Sequence, residues 1–137
     1  MDAAYDLMEA VPTVAEHGRL RVIAGMSAKA PEAAALGLPN SWYGVVVRHG
    51  GVAVGMGRVV GDGGLFFQVV DIAVDPAHQG RGLGKAIMAA IVAKLRRDAP
   101  ASAYVSLIAD GEAYRLYAQY GFALTAPDSV GMAMTMS

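Results

Sequence analysis

Seven residues near the middle of the chain, Gln79-Gly80-Arg81-Gly82-Leu83-Gly84-Lys85, combine alternating glycines with two cations. They stand between an apolar stretch, Leu65–Val74, and a segment in which Leu83, Ile87, Met88, Ile91, Val92 and Leu95 recur at helical spacing. A helix that starts there leaves several backbone N–H groups unpartnered at the positive end of its dipole. Glycine lets a bound phosphate come close to that backbone, and Arg81 and Lys85 add positive charge. The chemistry implied is anion binding, of a phosphate or a pyrophosphate. Two phosphate motifs are excluded. Gly84-Lys85 is followed by Ala86 and not by the Ser or Thr of a Walker loop, and Lys85 stands where a dinucleotide fingerprint needs glycine. The plain alternative is a connector that binds nothing, for which this run of glycines is a costly choice.

Other chemistries are poorly supplied. The chain has no cysteine, which removes disulfides, thiolate metal sites and a cysteine nucleophile together. His17, His49 and His78 are scattered and none pairs with acidic residues at metal-ligand spacing, so no metal is expected. His78 reads as a solvated loop histidine. A formal net charge of −1 argues against nucleic-acid and polybasic membrane-surface partners. No apolar run reaches the ~18 residues that a membrane span requires. The N-terminal residues Met1–Asp6 are acidic and do not resemble a secretory signal. The expectation is a cytoplasmic protein.

The elements that must position the glycine turn follow from patterning. With 137 residues, 55% of them hydrophobic, the chain is expected to form a single domain over 1–137. Ala4–Ala10 can form a first strand. Thr13 and Glu16 make a capping box for a helix ending near Ala24, and Ser27–Gly37 is partly helical from Pro31. Trp42–Arg48, Val52–Val60 and Leu65–Val74 read as strands joined by glycine turns, the last nearly all apolar and closed by Asp75-Pro76. The long helix after the glycine turn ends at Ala99-Pro100. Ala103–Ala109 is a further strand, Glu112–Tyr120 a short helix capped by Gly121, and Phe122–Thr125 and Gly131–Thr135 two last strands. This order gives an α+β fold: one mixed, mostly antiparallel sheet flanked by helices, with a parallel pair around the long helix.

The motif Gln79–Gly84 resembles the Q/R-x-x-G-x-G/A signature of the Gcn5-related N-acetyltransferases, the GNAT family. Val70–Pro76 before it, and Ala113, Leu116-Tyr117 and Gly121-Phe122 after it, are similar to that family too. The resemblance implies that backbone amides of Gln79, Gly80, Arg81, Gly82, Leu83, Gly84 and Lys85 hold the pyrophosphate of acetyl-coenzyme A. It implies a splayed strand pair whose gap takes the pantetheine arm, paired to the backbone of Ile72 and Val74. An N–H near Ile72 would polarise the thioester carbonyl.

By the same resemblance Tyr117 is the tyrosine that protonates the leaving thiolate; on residue chemistry alone it reads as a core tyrosine on the apolar face of its helix. Asp71 is the candidate base, its pKa raised by burial in an apolar strand, and the alternative is a structural carboxylate bonded to backbone or Arg58. A water relay can also replace a single base. Asp110 stands among the cofactor-binding positions where the family often has asparagine, and unlike asparagine an ionised aspartate can only accept.

The implied function is transfer of an acetyl group to a small-molecule amine. Without a cysteine to carry the acyl group, direct attack in a ternary complex is favoured. Trp42, Tyr43, Phe66, Phe67 and Met132 can line an apolar acceptor pocket, or serve as core or dimer surface. Acetylation of a protein or peptide amine, and a non-catalytic acyl-coenzyme A module, are the alternatives. A homodimer through the C-terminal strands is a further expectation.

Overall fold

In the computed structural model, which describes residues 1–137, Thr13 accepts a hydrogen bond from the Glu16 N–H, and Glu16 reaches back to the Thr13 N–H. This capping box starts α1 (Val14–Ile23), which follows strand β1 (Tyr5–Met8). The helix closes in a double bond pattern, Gly25 N–H to Val22 O and Met26 N–H to Arg21 O. Pro31, at a first helical position, opens α2 (Pro31–Gly37), which runs into a 3₁₀ turn. Strands β2 (Tyr43–His49), β3 (Val52–Gly61) and β4 (Phe66–Val74) follow, then α3 (Leu83–Asp98) and β5 (Tyr104–Ser106). The chain divides into two compact units, Met1–Leu107 and Ile108–Ser137.

In the first unit the strands lie in sequence order, β1-β2-β3-β4-β5, with antiparallel pairs except for parallel β4 and β5. The parallel pair is required by the α3 crossover between them. One sheet face packs on α1, where Leu20, Val46, Ala53, Met56 and Ala73 form a buried cluster. The other face packs on α3 through Leu83, Ile87, Met88, Ile91 and Leu95, each buried side chain contributing ~1.5–3 kcal/mol. The helix comes close because β3 presents no side chain at Gly57, where an added Cβ would stand 2.6 Å from both Ile72 Cδ1 and Ile87 Cγ2.

Between β3 and β4 the register slips. Arg58 pairs with Val70 and Met56 with Ala73, so Gly57 alone faces the two residues Asp71 and Ile72. Asp71 takes the left-handed conformation at φ 58. This is a β-bulge with an aspartate at the position that usually takes glycine.

The second unit contains the short helix α4 (Tyr114–Ala118) and Gly121 beyond it at φ 97. The two strands expected at Phe122–Thr125 and Gly131–Thr135 are not formed. Val130, Met132, Met134 and Met136 alternate as strand residues do, yet each is at least 70% exposed. The pattern is present and its pairing partner is not. Strand Ala103–Ala109 is likewise cut to three residues, because β5 pairs only with Phe66–Gln68.

Gly57→Ala is expected to destabilise the protein by about 1–3 kcal/mol, because two isoleucines must move to admit one methyl group. A denaturant midpoint unchanged from wild type would show that α3 does not rest on β3 as described.

Candidate active site

The glycine turn is built in two steps. Asp75 accepts from the Ala77 N–H at 2.9 Å, and its carbonyl accepts from the His78 N–H at 2.8 Å, so a single 3₁₀ turn (Pro76–His78) ends β4. Gly80 and Gly82 then adopt φ 77 and φ 80, and Gly82 is the N-cap of α3. Gly82 has no side chain to cap the helix, and the first intrahelical bond is Ala86 N–H to Gly82 O at 3.0 Å. The amides of the first turn therefore have no side-chain cap. Nothing stands within 4 Å of where a Cβ would lie at Gly80 or Gly82. Gln79, Gly80, Arg81, Gly82 and Lys85 are exposed, Gly84 is half-buried and Leu83 is buried beneath them. An open backbone surface rich in N–H groups fits an anion.

Strand β4 leads to this turn with one edge open. Asp75 N–H donates to Val54 O on β3, so by alternation Ala73 also faces β3, while Ile72 and Val74 point their N–H groups away. On that side β5 pairs only as far as Gln68. Ahead of the bulge the phase is opposite. Trp42 N–H donates to Val59 O, so Val59 faces β2, Arg58 faces β4, and its partner Val70 faces β3. The bulge at Asp71 and Ile72 thus reverses which amides meet the open edge.

Asp71 is buried, and three side chains converge on it. Its Oδ1 accepts from Arg21 Nη1 at 2.7 Å; its Oδ2 accepts from Arg58 Nε at 2.6 Å and from His17 Nε2 at 2.9 Å. Arg58 also reaches Ser41 Oγ, and Arg21 reaches the carbonyl and hydroxyl of Ser27. Since a carboxylate only accepts, His17 carries its proton on Nε2, and its buried Nδ1 has no partner. The raised pKa expected for Asp71 is corrected. Burial pushes the carboxyl up, but the Arg58 and His17 hydrogen bonds and charges outweigh it and hold the group below the usual carboxylate value. Both oxygens are occupied by cationic or N–H donors, an arrangement suited to holding backbone. Of the partners, only Arg58 is legible beforehand. His17 and Arg21 carry a weak signal, two polar residues four apart on the helix face that also bears Leu20.

His78 is not a solvated loop residue either: its Nδ1 lies 2.8 Å from the Tyr5 hydroxyl, and its ring packs 5.0 Å from that of His49. Of the aromatic residues expected near an acceptor, Trp42 packs edge-on against buried Phe67 at 4.7 Å, with Lys94 Nζ 5.1 Å from its ring centre. Tyr43 donates to Glu9 at 3.0 Å, and burial together with that carboxylate pushes its pKa up to about 12. Phe66 is exposed beside Tyr104, and Met132 belongs to the second unit.

In the second unit Tyr117 is the buried residue of α4. Burial, then the charge of Asp110, push its hydroxyl pKa up, so it stays protonated through neutral pH. Asp110 is exposed, and its carbonyl accepts from the Ala113 N–H.

A mixed sheet that opens between two parallel strands, with an uncapped glycine turn at the head of the crossover helix, defines an acyl-coenzyme A N-acyltransferase fold. The sequence profile of the "Acetyltransferase (GNAT) domain" matches residues 40–124, and the chain belongs to that family. A probable acetyltransferase of meticillin-resistant Staphylococcus aureus, described as a protein of unknown function, is 44% identical with a TM-score of 0.92. The match covers 96% of this chain and 99% of that one. Serotonin N-acetyltransferase 2 of Oryza sativa, a chloroplastic protein, is 38% identical over 88 residues, 64% of this chain. GCN5-related N-acetyltransferase 2 of Arabidopsis thaliana, also chloroplastic, is 39% identical over 70 residues, 50% of this chain. The matched segments span 42% and 26% of those two plant proteins. No helix is long and apolar enough to cross a membrane.

The Asp71 pKa lies lower in the folded chain than the ~3.9 of an unfolded one, so its ion pairs contribute fully above that value and are lost as pH falls through the lowered one. Asp71→Asn should cost about 3–5 kcal/mol at pH 7, since it leaves buried cations unpaired. The gap to wild type should stay flat down to about pH 5 and narrow below pH 4. Denaturant titrations across pH measure it; a gap that widens with acid would contradict the assignment.

Proposed function

We propose that the chain transfers the acetyl group of acetyl-coenzyme A to a primary amine of a small molecule, by direct attack in a ternary complex. The observation that carries this reading is the continuity of the open β4 edge with the uncapped glycine turn. One strand presents the amides of Ile72 and Val74, and the same chain a few residues later presents those of the turn from Gly80 to Gly84. What acetyl-coenzyme A supplies when bound is an activated acetyl thioester. The amides of the turn hold its pyrophosphate, with the charges of Arg81 and Lys85 adding to them. The N–H of Ile72 polarises the thioester carbonyl as negative charge builds on its oxygen. The amine forms the C–N bond as the C–S bond breaks, Tyr117 gives its proton to the departing sulfur, and the proton lost by the amine passes to solvent through water. Tyr117 carries the proton that the donor's task needs, since its hydroxyl is protonated at neutral pH. Asp110 contacts the cofactor as an acceptor only.

The family profile crosses the boundary between the two units, which supports their acting as one domain. The apolar residues Trp42 and Tyr43, with Lys94 beside them, favour an arylalkylamine acceptor, and the name of the rice relative makes serotonin a sensible first probe. A cytoplasmic location is part of the proposal, its support being a highly charged cosubstrate that does not cross membranes unaided. So is a homodimer, formed when the alternating segment Val130–Met136 adds to a sheet edge of a second copy.

Two experiments test the reading. Acetyl-coenzyme A is expected to give a clear heat of binding that Gly82→Asp abolishes, because the new carboxylate stands against the pyrophosphate. Tyr117→Phe should bind the cofactor as wild type does while thiol release with an amine panel falls about 10²–10⁴-fold. Full turnover in that variant would reduce Tyr117 to packing, and no binding heat in wild type would end the proposal. For the dimer, sedimentation should give twice the chain mass for 1–137 and one chain mass after truncation at Asp128; a monomer at all concentrations refutes it.

A further inference from the structure

The bulge in β4 raises a physical question that the acetyl-transfer reading leaves open: what holds a non-glycine residue at φ 58 in the strand that has to aim two amides? Left-handed backbone is costly for an L-residue, somewhat less so for aspartate. A strand of Val69, Val70, Ile72, Ala73 and Val74 gains nothing locally from the irregularity. The surroundings must therefore over-determine it. The only unusual feature there is the set of donors on Asp71. They come from two elements, His17 and Arg21 from α1 and Arg58 from β3, and the arginines are tied in turn to Ser27 after α1 and Ser41 before β2. Asp71, His17, Arg21 and Arg58 are at most 17% exposed in their side chains. Two arginines on one carboxylate leave an excess positive charge, an expensive arrangement to bury and a weak source of net stability. Its value lies in geometry.

We propose that His17, Arg21 and Arg58 form a clamp on Asp71 that fixes the bulge, and so keeps the N–H groups of Ile72 and Val74 on the open edge of β4. Asp71 is then a positioning residue and touches no reacting group. Ahead of the bulge Val70 faces β3; beyond it Ala73 and Asp75 face β3, three and five residues later. If the extra residue were drawn back into a regular strand, Ile72 and Val74 would turn their amides to β3 and Ala73 would face the gap. The carbonyl-polarising amide would be lost without any change at the glycine turn. The inference rests on the acetyl-transfer reading for its consequence, but its geometric core does not.

The test joins amide hydrogen exchange in the cofactor-free protein to thiol release from acetyl-coenzyme A. In wild type Ala73 and Asp75 should exchange at least tenfold more slowly than Ile72 and Val74. In Asp71→Gly, which allows the same backbone angle but frees the clamp, that contrast should shrink at least tenfold, while protection of α3 amides from Ile87 to Ile91 reports an intact fold. Arg58→Met should do the same, and Arg58→Lys should recover part of the contrast. Thiol release, with the best amine of the panel or with water, should fall at least tenfold in kcat in Asp71→Gly and Arg58→Met, with KM for acetyl-coenzyme A changed less than threefold. A full exchange contrast and full turnover in both variants overturns the clamp. Wild type that shows the contrast but neither binds nor cleaves acetyl-coenzyme A defeats the acetyl-transfer reading, and the exchange arm still decides the clamp.

Discussion

Strand β4 has to satisfy β3 on one side and leave hydrogen-bonding groups free on the other, and the rest of the molecule is arranged around that demand. A buried strand with an unpaired edge is ordinarily a liability, since each unsatisfied amide costs free energy and invites another strand. Here the liability is confined. β5 covers β4 over Phe66–Gln68 and no further, so the open stretch begins where the pairing stops and ends at the 3₁₀ turn of Pro76. Under the acetyl-transfer proposal a pantetheine arm, with amide groups of its own, takes the place of a strand there.

Keeping that edge straight and in phase requires support from both faces of the sheet. On one face α3 lies close over β3 because Gly55 and Gly57 present no side chains, and Ile72 fills the space against Ile87. The head of α3 is thereby fixed relative to β4, so the amides of the turn and of the strand belong to one rigid element. On the other face the support is polar. Buried apolar contacts alone resist compression but set no register, whereas a carboxylate gripped by a guanidinium on each side tolerates little displacement.

Much of this was legible in the residues. The capping box at Thr13 and Glu16, the strands on either side of Gly50-Gly51 and Gly61–Gly64, and the amphipathic α3 are all local patterns, and the structure has them. What failed to show was non-local. The run Val69–Val74 looks like an unbroken strand with one polar residue, and nothing in it announces a bulge. The sign of the Asp71 pKa shift depended on Arg58, 13 residues away, and on His17, 54 residues away, so burial was foreseeable and its compensation was only half so, through Arg58. His17 and His78 were hidden for the same reason, since a histidine's surroundings are set by elements that periodicity places but does not pair.

The C-terminal segment shows the limit of pattern in its sharpest form. Val130, Met132, Met134 and Met136 alternate with Gly131, Ala133 and Thr135 as a half-buried strand should, but alternation states only which face a strand would bury if a sheet received it. Strand structure is a property of pairs, and no neighbour in the chain supplies the second member. The open edge of β4 and the unpaired tail are thus two cases of one constraint. The former has a bulge, a buried ion cluster and a glycine turn built around it, the investment expected where an unpaired strand is put to use. The tail has only its pattern and four large apolar side chains in water, a strand pattern with no second strand to pair it.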